Sequence, residues 1–256
     1  MTAVAIIPAR LGSTRFPEKV LAAATGRPLV QHVVDQVRGC SRVREVIVAA
    51  DDPRIPAALA PFGTRCVLTD PAHASGTDRI AEVASGLSDA IVVNVQGDEP
   101  EIEPQTVDAL VEAVESGEDD LSTAAAPFPP DADVDDPNLV KVVCGLDGRA
   151  LYFSRSPIPR RRDESQPRPG YLLHVGVYAY RRSFLLRFAE WAPTPLERTE
   201  KLEQLRALEH GGSIRVVRVE RTTHGIDTPE QYEEFVRRFR SQQARSQRRA
   251  SAKELS

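Results

Sequence analysis

The chain has 256 residues, 41% of them apolar and 27% charged, with a formal net charge of −4. Those values describe a globular protein long enough to bury its own core, and they exclude a wholly disordered, collagen-like or disulfide-stapled chain. No apolar run approaches the roughly 18 residues a membrane span needs, and residues 2–7 (TAVAII) are too short for a leader and lack preceding basic residues, so the chain reads as cytoplasmic. Charge is spread unevenly. From Arg237 onward seven basic residues face one acid, leaving 26 basic and 36 acidic residues in the body, a net −10. An acidic body of this kind is not expected to bind nucleic acid. Cys40, Cys66 and Cys144 are scattered through apolar stretches, a spacing that suits buried reduced thiols and neither a disulfide framework nor a zinc site.

The first half alternates short apolar runs with amphipathic ones. Residues 3–8 (AVAIIP) read as a buried strand, and Leu29, Val33, Val34 and Val37 recur at helical spacing. Residues 45–50 and 65–68 follow as strands, 81–87 as part of a helix, 90–95 (AIVVNV) as a strand and 104–115 as a helix. Continuous apolar strands between helices predict a parallel sheet covered on both faces, with the ligand crevice beyond the strands' carboxyl ends. The connections at 9–19, 70–77 and 96–103 are therefore the segments expected to carry chemistry. The second half is mixed: strands at 140–143, 175–180 and 214–219, a helix at 195–209, and a last helix at 229–240 opened by Thr228 and Pro229. Residues 128–137 and 159–170 read as loops, and the Ser-, Gln-, Ala- and Arg-rich tail 241–256 as disordered. The expectation is one α/β domain over 1–240, with a nucleotide half at about 1–126 and a smaller mixed part at about 127–222.

Residues 8–19 (PARLGSTRFPEK) concentrate Arg10, Arg15 and Lys19 with Gly12, Ser13 and Thr14 in one connection at a strand's carboxyl end. Small residues free backbone N–H groups for a polyphosphate, and the cations offset its charge. The pattern is neither a Walker A loop nor GxGxxG. Residues 94–100 (NVQGDEP) send Asp98 and Glu99 out of an apolar strand through a glycine, a placement in which carboxylate oxygens can hold a divalent cation against phosphates. Asp227, just before the Thr228 cap, is a second candidate ligand. Residues 73–79 (HASGTDR) form a polar entry to a helix, where N–H groups and hydroxyls can read a base or ribose. His174 opens an alternating strand, and Glu197, Glu200 and Glu203 recur at helical spacing; read alone, these are a structural hydrogen-bonder and a solvated face.

In their order along the chain, PARLGSTRFPEK, HASGTDR and NVQGDEP, followed by Pro137-Asn138, Tyr152-Phe153-Ser154-Arg155, His174-x-Gly176-x-Tyr178-x-Tyr180-Arg181, residues 196–206 (LERTEKLEQLR) and Gly225-Ile226-Asp227-Thr228-Pro229, resemble the sugar-acid cytidylyltransferases, and within them the 3-deoxy-manno-octulosonate cytidylyltransferases. The resemblance runs from about residue 3 to 238 and leaves out only the tail. It implies a Rossmann-like nucleotidyltransferase fold, a homodimer, and Mg²⁺-dependent transfer of CMP from CTP to a sugar acid. It also implies roles. Arg10, Ser13, Arg15, Lys19, Ser75, Gly76, Thr77 and Arg79 would bind the nucleotide, and Asp98 and Asp227 the metal. Gln96, Arg162, His174, Tyr178, Glu203 and Gln204 would surround the sugar acid, and Lys19, Asp98 and Asp227 would carry the catalysis.

Three departures stand out. Glu18 replaces the glycine expected before the loop lysine, which predicts a negative charge beside the triphosphate. Leu173 replaces a basic residue, which leaves room for another sugar acid or acidic metabolite as acceptor. The Arg-rich tail is extra, and a nucleic-acid-binding protein using it is the remote alternative.

Overall fold

The computed structural model describes residues 3–163, 165, 170–222 and 225–254, with side chains to 245. Nine strands, β1 (Ala3–Ala9), β2 (Val43–Ala50), β3 (Arg65–Leu68), β4 (Ile91–Asn94), β5 (Leu121–Pro127), β6 (Lys141–Cys144), β7 (Ala150–Ser154), β8 (Leu172–Arg181) and β9 (Ile214–Arg218), share one sheet. Its main path runs β3-β2-β1-β4-β8-β5-β9, with β6 joining β7 and β8. The first four strands are mutually parallel, as the apolar runs predict. β8 runs antiparallel to both β4 and β5, so the second half is mixed.

Helices α1 (Leu29–Val37), α2 (Arg54–Leu59), α3 (Gly76–Ser85), α4 (Pro104–Ser116), α5 (Arg182–Glu190), α6 (Pro195–Glu200), α7 (Gln204–Glu209) and α8 (Pro229–Glu254) complete the fold. Successive side chains of a strand point to opposite faces. Accordingly Ala5 and Ile7 enter the core cluster shared with α1 and α4, while Val4 and Ile6 enter the one shared with α3 and α5. A third, smaller cluster packs Tyr232, Phe235 and Val236 of α8 against Leu29 and Ile226, with Phe16 on its margin.

β1 pairs with β2 on one side and β4 on the other, Ile6 lying opposite both Ile47 and Asn94. The chain leaves β1 in one direction and returns on the other side at β4, which opens a crevice beyond the carboxyl ends of these two strands.

Two helices of the second half differ from expectation. The helix expected at 195–209 is broken: Lys201 takes a left-handed backbone (φ 54°), and α6 and α7 fall on either side. No glycine or proline announces that break. The last helix continues past Arg240 to Glu254, through the segment read as disordered; its Ala, Gln, Arg and Lys residues are good helix formers. Of the loop at 159–170, residues 164 and 166–169 lie outside the described ones.

Candidate active site

The crevice holds a cavity of about 460 Å³, lined from all three connections that the sequence singled out. The β1 connection supplies Arg10, Gly12, Ser13, Thr14, Arg15 and Lys19; the entry to α3 supplies His73, Ala74, Ser75, Gly76 and Arg79; the β4 connection supplies Gln96, Gly97 and Asp98; and Asp227 closes the set. The walls therefore carry four cations and two carboxylates.

Local bonding fixes each wall. Asp51, at the end of β2, accepts the Leu11 N–H at 3.2 Å and so ties down the start of the basic connection. Gly97 is required by close approach: a Cβ there would come within 2.8 Å of the Pro8 carbonyl oxygen. The Ile226 N–H donates to the Asp98 carbonyl at 2.8 Å, and this bond draws the Asp227 segment alongside the β4 connection. Ser75 caps α3. Its Oγ accepts the Asp78 N–H at 3.1 Å while the Asp78 carboxylate accepts the Ser75 N–H at 3.1 Å, leaving the helix's first turn at the cavity.

Lys19 is the centre of the arrangement. Its Nζ donates to Asp98 Oδ2 at 2.5 Å, to Asp227 Oδ1 at 2.9 Å and to the Ile226 carbonyl at 2.9 Å, with the side chain only 12% exposed. Burial pulls its pKa down, but the two carboxylates outweigh burial and hold the ammonium above the ordinary lysine value. Arg15 takes the other Asp227 oxygen at 2.9 Å. Arg79 is buried and donates to the Thr69 hydroxyl at 2.5 Å and the Asp70 carbonyl at 3.2 Å, both neutral oxygens, so its positive charge remains to act on the cavity.

Of the residues that the resemblance assigns to the nucleotide, Thr77 alone is turned away. It is buried, and its hydroxyl donates to Glu203 Oε2 at 2.6 Å. That bond joins the cavity to a second polar cluster on β8 and α7. Gln96 lines the cavity and reaches Asn94 at 3.4 Å. The His174 ring lies 4.9 Å from Phe153 and 5.6 Å from Tyr178, centroid to centroid. Its Nε2 stands 2.9 Å from Thr123 Oγ1, whose own proton has the Val175 and Val177 carbonyls as acceptors. The imidazole therefore donates through Nε2–H, and burial pushes its pKa down to about 3, so it works as a neutral ring. Burial pushes the Tyr178 phenol and the Glu203 carboxyl up, the latter despite the Thr77 bond. Gln204 Nε2 is buried without a hydrogen-bond partner, and buried Glu203 Oε1, also without one, lies 3.8 Å from Arg206 Nη2. A Cβ at Gly176, between His174 and Tyr178, would meet nothing within 4 Å, so there is open space beside the two rings. Arg162 is exposed and outside the cavity wall.

Several readings are corrected. Glu197, Glu200 and Glu203 are not a solvated face. Glu197 pairs with the buried Arg206 at 2.6 Å, Glu200 accepts the Ser154 hydroxyl at 2.6 Å, and Glu203 turns to Thr77. The Glu18 carboxylate does not face the cavity but turns to Arg54 at 2.6 Å. Its backbone is left-handed (φ 55°), the geometry glycine adopts without strain. Leu173 is buried between Ala126 and Lys141 and, by strand alternation, faces away from His174. Two supports were missed by sequence reasoning. Thr123 lies on β5, whose run LSTAAAP lacks β-branched apolar residues; Asp51 was visible as an acid at a strand's carboxyl end.

Residues 4–217 match the cytidylyltransferase family. The chain is 48% identical over 249 residues to the 3-deoxy-manno-octulosonate cytidylyltransferase of Geobacter metallireducens, covering 93% of this chain and 98% of that one. It is 47% identical over 251 residues to that of Rhodopirellula baltica, covering 94% and 100%. A solved CMP:2-keto-3-deoxy-manno-octonic acid synthetase complexed with CTP superposes with a TM-score of 0.89 at 40% identity, covering 94% of this chain and 100% of that one. A cytidylyltransferase from Leptospira borgpetersenii, at 17% identity and a TM-score of 0.60, shares the fold alone. With the cavity built from the same segments that carry the resemblance, the chain belongs to the cytidylyltransferase family, among its 3-deoxy-manno-octulosonate cytidylyltransferases.

Proposed function

We propose that this chain transfers CMP from CTP to the anomeric hydroxyl of 3-deoxy-manno-octulosonate, releasing pyrophosphate. The observation that carries the reading is the convergence of Lys19, Asp98 and Asp227 at the base of a cation-walled cavity beyond β1 and β4. In the reaction the hydroxyl oxygen bonds to the α-phosphorus, the bond to the bridging oxygen breaks, pyrophosphate departs with the electron pair, and the hydroxyl proton is released. Such a transfer asks the protein for positioning and charge neutralisation rather than a covalent intermediate. Arg10, Arg15, Lys19 and Arg79 surround the triphosphate with positive charge, and the Gly12–Thr14 segment and the first turn of α3 offer N–H groups.

The donor set around the Lys19 ammonium fits a magnesium ion. It consists of two carboxylates and a carbonyl, all hard oxygens, with an ammonium standing where a cation belongs. Among the described residues no group of three or more His, Cys, Asp or Glu side chains forms an all-protein cage. A pair of carboxylates is the provision suited to Mg²⁺, which takes its other ligands from water and phosphate. Asp98 and Asp227 would hold it, and when bound it would neutralise phosphate charge and lower the pKa of the attacking hydroxyl.

The sugar acid belongs against the β8 and α7 cluster. The neutral His174 and Tyr178 rings, the Gly176 gap and the Glu203 and Gln204 atoms that lack hydrogen bonds suit a polyhydroxylated ligand. Arg162 would pair with its carboxylate from the 159–170 loop. The fully exposed Leu146 and the largely exposed Leu151, beside the β6–β7 turn, suit a homodimer contact, which sedimentation would test. The direct test of function is pyrophosphate release from CTP and Mg²⁺ with and without the sugar, with mass spectrometry of the nucleotide product. Turnover requiring both establishes the reaction, whereas CTP binding without turnover removes this acceptor.

A further inference from the structure

Lys19 stands in two incompatible places. An ammonium has three N–H donors, and here all three are engaged, by Asp98 Oδ2, Asp227 Oδ1 and the Ile226 carbonyl. The same group lines a cavity whose other cations, Arg10, Arg15 and Arg79, suit it to a triphosphate. It cannot serve a phosphate oxygen fully without releasing one of these acceptors. Nor can a divalent cation settle between the two carboxylates while the ammonium lies there, since Asp98 Oδ2 and both Asp227 oxygens are engaged and the charges are alike.

We infer that Lys19 is a tethered placeholder cation that closes the Asp98–Asp227 metal site until a nucleotide's phosphates draw it away. The inference rests on the functional reading above and deepens it. Phosphate oxygens take over the Nζ protons, Lys19 leaves the carboxylates, and the freed oxygens become available to the metal. Metal and nucleotide thereby favour each other's binding, and by linkage each raises the other's affinity by the same factor. Arg15 pairs with the second Asp227 oxygen at 2.9 Å, so that carboxylate keeps one partner when Lys19 departs. Keeping a positive charge between the carboxylates also spares the resting protein the repulsion of two acids converging on one point.

The test uses Mn²⁺ as the probe, with bound and free ion measured by electron paramagnetic resonance and the protein-bound fraction by water proton relaxation, with and without CTP and with no sugar present. Lys19→Met should bind Mn²⁺ without nucleotide on the order of tenfold more tightly than wild type, and the gain in Mn²⁺ affinity that CTP produces should shrink by a similar factor. Lys19→Gln serves if the methionine variant does not fold, as judged by circular dichroism. Asp98→Asn separates the two layers of the argument. If Mn²⁺ binding depends on Asp98 but both lysine variants bind it no more tightly than wild type without CTP, the placeholder role is overturned and the metal assignment stands. If Asp98→Asn leaves Mn²⁺ binding unchanged both with and without CTP, the carboxylate site itself falls, and the placeholder with it.

Discussion

At Glu18 a backbone constraint and an ion pair act on the same residue with opposite consequences for stability. The left-handed conformation costs a residue with a Cβ about 1 kcal/mol, which glycine would not incur. Against this, the carboxylate gains an exposed pair with Arg54, a contact weakened by water and salt. Because the side chain points away from the cavity, Glu18→Gly should leave CTP affinity within about twofold of wild type and leave thermal stability unchanged or raised. Isothermal calorimetry and a melting curve check both; a large gain in CTP affinity would mean that the Glu18 charge does act on the triphosphate. Asp98 is the opposite case, since its carboxylate faces the cavity and Lys19. Asp98→Asn preserves shape and removes the charge, so kcat should fall by about 10³-fold or more while the circular dichroism spectrum stays that of wild type. Full activity would sink the metal assignment. Glu203→Gln keeps an acceptor for the Thr77 hydroxyl but alters the buried oxygen left without a hydrogen-bond partner. It should raise KM for the sugar acid with little change in KM for CTP, and steady-state kinetics with each substrate varied would reveal the split.

Between elements, Asp119 is a fully enclosed link in the sheet's second half. Its carboxylate is fully buried at the start of β5 and accepts from Arg149 at 2.5 Å and Arg215 at 2.8 Å, joining β5 to the β6–β7 turn and to β9. Burial pushes its pKa up, but the two guanidinium bonds outweigh burial and hold it below the ordinary carboxylate value. A group depressed in this way stabilises the fold fully above its unfolded pKa of about 4, and that contribution is lost as pH falls through the lower folded value. Asp119→Asn should cost about 2 kcal/mol at neutral pH, less than for a fully buried pair because the guanidiniums are partly exposed. In urea titrations its deficit against wild type should hold from pH 7 to about pH 5 and narrow as pH falls below about 4. Such links also mark what could be read in advance. β1, β2 and β4 were legible because buried parallel strands are continuous apolar runs, and the cavity walls were legible because polar residues crowd their carboxyl ends. β5, with its small residues, and the break at Lys201 were not, because both depend on partners distant in sequence. The β8 and α7 cluster came only through the resemblance, since the outward or inward turn of Glu197, Glu200 and Glu203 is decided by Arg206, Ser154 and Thr77.

Over the whole molecule, α8 has two parts with different duties. Its first turns bury Tyr232, Phe235 and Val236 against Leu29 and Ile226, with Phe239 on the margin, and the Tyr232 hydroxyl accepts the Ala24 N–H at 2.7 Å. This packing holds the segment that carries Asp227 against the Lys19 connection, so it belongs to the site's architecture. Arg238 adds a bidentate pair to Glu101, and Arg240 a bond to the Ala24 carbonyl. Among the residues whose side chains are described, none of α8's buried anchors lies beyond Val236. Ending the chain after Ser241 removes four basic residues and one acid, which takes the formal charge from −4 to −7. The shortened protein should keep its melting temperature within about 2 °C and its turnover within about twofold, because surface changes away from packed anchors are nearly neutral. Ending it before Tyr232 should instead unseat Asp227 and abolish turnover. The Ser241 truncation, set beside the full chain, also tests the basic extension itself. If the full chain retains nucleic acid with a steep salt dependence that the Ser241 truncation removes, the arginines serve a polyanion. Equal, weak retention by both would leave the extension as a solvated helix on an acidic, CTP-using body.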